Sequence, residues 1–194
     1  MKNLLLGLLT ALLLSSPGSL FAQERLSLEL LPGAAIPTQN MAGADLSAGV
    51  GAEATVSYRF LPHLSAYAGW DWRYFTADAS LVGPDIDVEE TGYAFGLRFL
   101  HPLGRGSAPA LMLRAGGTMN HIELENEAGD LVADSGHGLG WEAGAGLAFP
   151  VGDRWNITPA VRFRSSAREF DIGGTVTPAT LRYVSVEVGF SRGF

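Results

Sequence analysis

The chain has 194 residues, no cysteine, and 20 Asp plus Glu against 13 Lys plus Arg, a formal charge of −7. The length suits one domain. Without cysteine there is no disulfide framework, thiolate metal site or lipid-modified N-terminal cysteine, and the acidic balance opposes non-specific nucleic-acid binding.

In chain order, residues 1–22 come first. Lys2 and Asn3 precede the apolar run "LLLGLLTALLL", "SSPGS" breaks it, and a small residue, Ala22, ends the stretch. The run is shorter than the ~20 residues of a spanning helix, so the segment reads as a secretory signal peptide cleaved after Ala22. The remaining domain is 23–194. Lys2 is the only lysine, so the mature chain carries 12 Arg against 20 acids, 12 − 20 = −8. Exclusive use of Arg reads first as compositional bias, although forked donors also suit buried ion pairs. Beyond Ala22 no apolar run is long enough for a spanning helix, so any membrane crossing must use strands.

Eight alternating segments follow, bounded by Gly, Pro, Asn and Asp: 25–37, 46–60, 64–77, 89–100, 108–124, 139–149, 155–170, and 180–190 running on to Phe194. Glycines inside them suit a tightly curved or closed sheet. The connections at 61–63, 101–107 and 150–154 are tight. Those at 38–45, 78–88, 125–138 and 171–179 are mostly longer and rich in Asp, Glu, Gly and Asn. Short turns at one end, longer loops at the other and an even strand count predict an all-β, eight-stranded antiparallel up-and-down transmembrane β-barrel, with both termini on the periplasmic side.

Each strand has one face fit for lipid and one that is charged or small. In 46–60, Val50, Ala52, Ala54, Val56, Tyr58 and Phe60 alternate with Gly51, Glu53, Thr55, Ser57 and Arg59. The aromatics fall into two girdles, Tyr58, Phe60, Phe99, Phe149 and Trp155 toward the periplasm and Trp70, Trp72, Tyr74 and Trp141 toward the outside. A soluble sandwich or lipocalin-like barrel would reverse the logic, leaving Gly and Ala to build the core, and such a core buries little.

The signal peptide, the eight strands and the terminal "VSVEVGFSRGF" resemble the small OmpA-like/OmpX-like family of outer-membrane β-barrels. The resemblance covers the mature chain and rests on pattern, without a signature motif or a peptidoglycan-binding domain. It implies that Val188, Phe190 and Phe194 form a terminal signal read by the barrel-assembly machinery. It also implies outer-membrane lipid and lipopolysaccharide as surroundings for a monomer. Arg192 departs from the alternation and is expected to snorkel to the interface.

On the inward faces, Glu53, Asp71, Arg73, Arg114, Glu142, Arg162 and Glu187 form a candidate interior charge network, with Glu29, Arg98 and Arg164 nearby. An eight-stranded barrel is just wide enough for side chains to fill, so a structural plug is expected, and a gated pore for ions or small solutes is the alternative. A second alternative is lipid A modification. Asp134, Ser135 and His137 lie in "ADSGHG", and His121 and Glu123 lie near another strand end, but a hydrolase needs nucleophile, base and orienter in reach. The lipid A deacylase motif, a His two residues before a Ser, is reversed. "GLGWEA" (138–143) opens a strand with no helix after it, so nucleotide binding is rejected. The reading is a structural or surface-interaction protein, not an enzyme, without catalytic, cofactor or metal site. The acidic external loops, Glu89, Glu90, Glu123, Glu125 and Asp134 among them, read as a solvated face; divalent-cation bridging to lipopolysaccharide is the sharper alternative, without EF-hand spacing.

Overall fold

The computed structural model describes residues 25–80, 83–126 and 128–194. The signal peptide expected at 1–22 lies outside the described residues.

Among the described residues nine strands follow in chain order: β1 (Leu26–Pro37), β2 (Gly49–Leu61), β3 (Leu64–Ser80), β4 (Gly83–Pro102), β5 (Ala110–Asn126), β6 (Leu131–Asp134), β7 (Gly138–Val151), β8 (Trp155–Ile172) and β9 (Thr175–Gly193). Eight of them make a ring in the order β4-β3-β2-β1-β9-β8-β7-β5, closed by β4 against β5. Every pairing is antiparallel. The ring closes the first strand on the last, with Leu30 opposite Phe190 and Gly33 opposite Glu187. The Phe194 amide donates to the Leu26 carbonyl (2.8 Å). A closed ring has no edge, so each strand finds ladder partners on both sides.

One end carries the start of β1, the end of β9 and the short connections at 62–63, 103–109 and 152–154. At the other end the structure corrects two expected loops. The segments 78–88 and 171–179 are largely strand, because β3 pairs β4 out to Ser80↔Gly83 and β8 pairs β9 out to Ile172↔Thr175. The acids there alternate with apolar residues: in β4, Ile86, Val88 and Glu90 point inward and are buried, and Asp87 and Glu89 point outward. Alternation outweighs the turn preference of Asp at these positions.

The ninth strand was not expected. β5 pairs with β7 up to Asn120↔Gly138 and then with β6 from Glu123↔Asp134. Three residues on β5 thus face four on the partner side, which is a β-bulge. Gly136, with φ 62°, makes the bend. Ile122 and Ser135 hold it together: Ser135 N donates to Ile122 O (3.0 Å), and Ile122 N donates to Ser135 Oγ (2.9 Å).

Outward faces are apolar and exposed around the ring, among them Leu30, Val56, Phe95, Leu113, Leu147, Val161 and Val186. A continuous apolar belt of that kind is far larger than soluble monomers show. It suits a hydrocarbon solvent.

Candidate functional site

The lumen is the densest chemistry in the molecule. Buried charged side chains among the described residues are six carboxylates, Glu29, Glu53, Asp71, Glu90, Glu142 and Glu187, and six arginines, Arg73, Arg98, Arg114, Arg162, Arg164 and Arg168. The two sets balance, so the filled lumen carries no net formal charge. Half of the chain's 12 arginines are in it. The forked-donor reading of the arginine usage therefore accounts for these six better than compositional bias does.

Glu142 is the hub. It accepts from Arg114 (2.6 Å), Arg162 (3.1 Å), Arg164 (2.7 Å) and the Tyr67 hydroxyl (2.7 Å). Glu53 accepts from Arg114 (2.7 Å), Arg162 and Arg164 (3.2 Å). Glu187 accepts from Arg73 (2.7 Å) and Arg162, and Asp71 from Arg164. Toward the turn end, Arg98 donates to Glu29 (2.9 Å) and Ser27 (3.0 Å). All seven sequence-predicted interior residues are thus brought together from β2, β3, β5, β7, β8 and β9.

Glycines opposite these side chains make the packing possible. The Tyr67 ring lies over Gly96 and Gly116, where a Cβ would collide with its hydroxyl, and the Arg114 guanidinium stacks on the ring at 4.1 Å. Gly51 leaves room in the same way for the Arg73 stem.

Glu90 corrects an expectation. Read as an acid of an external loop, it is fully buried in the lumen and accepts from Ser166 (2.8 Å), Tyr183 (2.6 Å) and Asn120. Arg168, Tyr67 and Tyr183 were also missed. Arg168 bonds to carbonyls of Asn120 (3.1 Å), Gly138 (2.7 Å) and Leu139 (3.0 Å), where β6 and β7 part beside β5.

Beyond Glu90, at the hairpin end, the lumen becomes apolar. Phe75, Val88, Ile122, Leu124, Phe170 and Leu181 form a buried cluster with Met41, Ala44 and Leu46 of the β1–β2 connection. That connection, expected to be solvated, folds inward on its apolar residues. Toward the turn end lies an open vestibule of about 290 Å³, lined by Arg25, Arg59, Arg98, Arg154 and Glu29 among others.

On the outer wall, the girdle residues Tyr58, Phe60, Phe99, Phe149 and Trp155 ring the turn end, and Trp70 and Trp141 stand exposed toward the hairpin end. Trp72 and Tyr74 are half-buried and stack on each other at 6.2 Å. Val188 and Phe190 are exposed on the terminal strand, and Phe194 is half-buried. Arg192 lies over the rings of Phe194 (5.1 Å) and Trp155 (5.7 Å).

The Ser, His and Asp residues weighed for hydrolysis do converge, but not as a triad. The Ser135 hydroxyl donates to the Gly136 carbonyl (3.0 Å) and accepts from Ile122 N, so its bonds run to backbone and not to an imidazole.

This geometry has solved counterparts. The crystal structure of Neisserial surface protein A superposes with a TM-score of 0.61 at 14% identity, covering 89% of this chain and 99% of that one. The solution structure of E. coli Outer Membrane Protein W gives 0.58 at 11%, covering 90% and 100%. The fold is that of the small outer-membrane β-barrels. At these identities the likeness concerns fold alone. No family model matches the chain, and no curated protein matches it significantly.

Proposed function

We propose that the protein is an integral outer-membrane barrel with a closed lumen, acting as a structural or surface-interaction element and not as a pore or an enzyme. One observation carries the reading: the lumen is filled by a charge-balanced network at mid-depth and by an apolar cluster beyond it. Ions and hydrophilic solutes meet no continuous polar path through such an apolar constriction. The exposed apolar belt supports a bilayer as surroundings.

In this reading the turn end faces the periplasm and the hairpin end faces outward, in contact with lipopolysaccharide. The chain inserts as a monomer through the assembly machinery, with Val188, Phe190 and Phe194 as its terminal signal. The hairpins β3–β4, β5–β6 and β8–β9 extend beyond the apolar belt and offer the surface for interaction.

The test is liposome swelling with a series of small sugars, alongside mass spectrometry of lipid A from cells with and without the protein. The reading predicts no swelling above protein-free liposomes and an unchanged lipid A profile. Sugar-dependent swelling would replace it with a pore, and an altered acyl or phosphate pattern with an enzyme.

A further inference from the structure

Where β6 and β7 part, the bulge gathers a donor set on the outer wall. Along β5, His121 and Glu123 both point outward, one row beyond Met119 and Tyr93 of the apolar belt. On the other side of the bulge, the extra residue puts Asp134 directly opposite Glu123. His137 stands just beyond the last β5–β7 pair, its ring 4.7 Å from that of His121. His121 Nε2 lies 3.8 Å from Glu123 Oε1, and His121 Nδ1 lies 3.9 Å from Asp134 Oδ2.

We propose that His121, Glu123 and Asp134, with His137 beside them, form a binding site for a first-row divalent metal ion of the Zn²⁺ type. One donor atom from each of the first three lies within 4.8 Å of the others. Bonds of about 2.0–2.2 Å to a tetrahedral ion separate donors by roughly 3.3–3.6 Å. The required contraction is within reach of side-chain rotation, since all three are half-buried or exposed.

Three features distinguish this cluster from a solvated acidic face. Its donors include the His121 imidazole, with the His137 ring 4.7 Å from it, and imidazoles suit Zn²⁺ and its neighbours, whereas Ca²⁺ and Mg²⁺ take oxygen ligands. Its carboxylates oppose like charges, and among the described residues no Arg is an ion-pair partner of theirs: Glu123 faces Glu89 on one side and Asp134 on the other. Like charges directly opposite in a ladder are unfavourable, and a bound cation removes that repulsion. The backbone also holds one of the donors from behind: Asp134 Oδ1 accepts from Gly136 N (2.7 Å), leaving Oδ2 toward His121. A ligating carboxylate fixed by a second hydrogen bond in this way is the usual support of a metal site. Bound metal would tie the β5–β6 hairpin to the start of β7 across the bulge.

The test is calorimetric titration of ZnCl₂ into chelator-stripped protein folded in a non-ionic detergent, which supplies no phosphate. We expect one saturable Zn²⁺ per chain, with affinity reduced at least about tenfold in His121→Ala, His137→Ala and Glu123→Gln. The double variant Asp87→Asn/Glu125→Gln, remote from the imidazoles, should keep wild-type binding, and roughly hundredfold excess CaCl₂ should not displace the ion. Circular dichroism checks that each variant is folded, and the Glu123 variant decides if the histidine variants are not. No saturable binding, binding unchanged in folded variants, or equal competition by Ca²⁺ would each overturn the site and leave a plain acidic surface.

Discussion

Tyr67 of β3 donates its hydroxyl proton to Glu142 of β7 over 2.7 Å, although two strands of the ring separate theirs. The bond crosses the lumen, so it reports on whether the interior is packed. Tyr67→Phe removes one of four donors to Glu142 and leaves the ring in place. A loss of about 1.5–3 kcal/mol is expected, typical for a hydrogen bond to a charged group. Gly116→Ala, which drives a Cβ into that hydroxyl and into the Phe95 carbonyl, should cost about 1–3 kcal/mol as overpacking. Urea unfolding in lipid vesicles measures both, and stability unchanged in either variant would mean that the ring does not occupy this position.

Arg162 touches three carboxylates, Glu53, Glu142 and Glu187. Arg162→Ala strands negative charge in a buried site and should destabilise by about 3–5 kcal/mol. In the double variant Arg162→Ala/Glu142→Ala part of that loss should return, but not all, because Glu53 and Glu187 remain. Full restoration would show that Glu142 alone is the partner. A loss of about 1 kcal/mol or less, as for a solvated pair, would show a wet lumen.

Phe75 is fully buried in the apolar cluster at the hairpin end, its ring 5.3 Å from that of Tyr183. Phe75→Ala should cost about 3–5 kcal/mol, as for large core truncations. A change below about 0.5 kcal/mol, the usual range of surface substitutions, would indicate that this end is open to water.

Deleting Phe194 removes the Phe194 N to Leu26 O bond and one ring beneath Arg192. The proposed assembly role predicts less protein in the outer membrane and more in the periplasm, with the protein that does insert still folded. Fractionation followed by immunoblotting measures this. Wild-type outer-membrane levels would remove Phe194 from the assembly signal.

Much of this was legible in the chain because a barrel repeats one signal. Inward Glu53 and Arg162 and outward Val56 and Val161 alternate with the two-residue period of a strand, and closure turns that period into lumen and belt. Three things were hidden. In "DIDVEE" the acids read as loop, yet the same period that hides Glu90 in the wall also buries Ile86 and Val88. Tyr67 sits on the inward parity of β3 with Ser65, Gly69 and Asp71, but nothing local points to its partner Glu142, 75 residues away. The bulge between β6 and β7 depends on one extra residue, and no local pattern indicates on which side of a ladder such a residue falls.

The central claim is that the lumen is closed. Single-channel recording in planar bilayers, with wild-type protein shown to be folded and inserted, tests it most directly. The account predicts a baseline indistinguishable from protein-free bilayers in either potassium chloride or sodium acetate. Steady, voltage-independent conductance steps that scale with inserted protein would contradict it and make the barrel a pore.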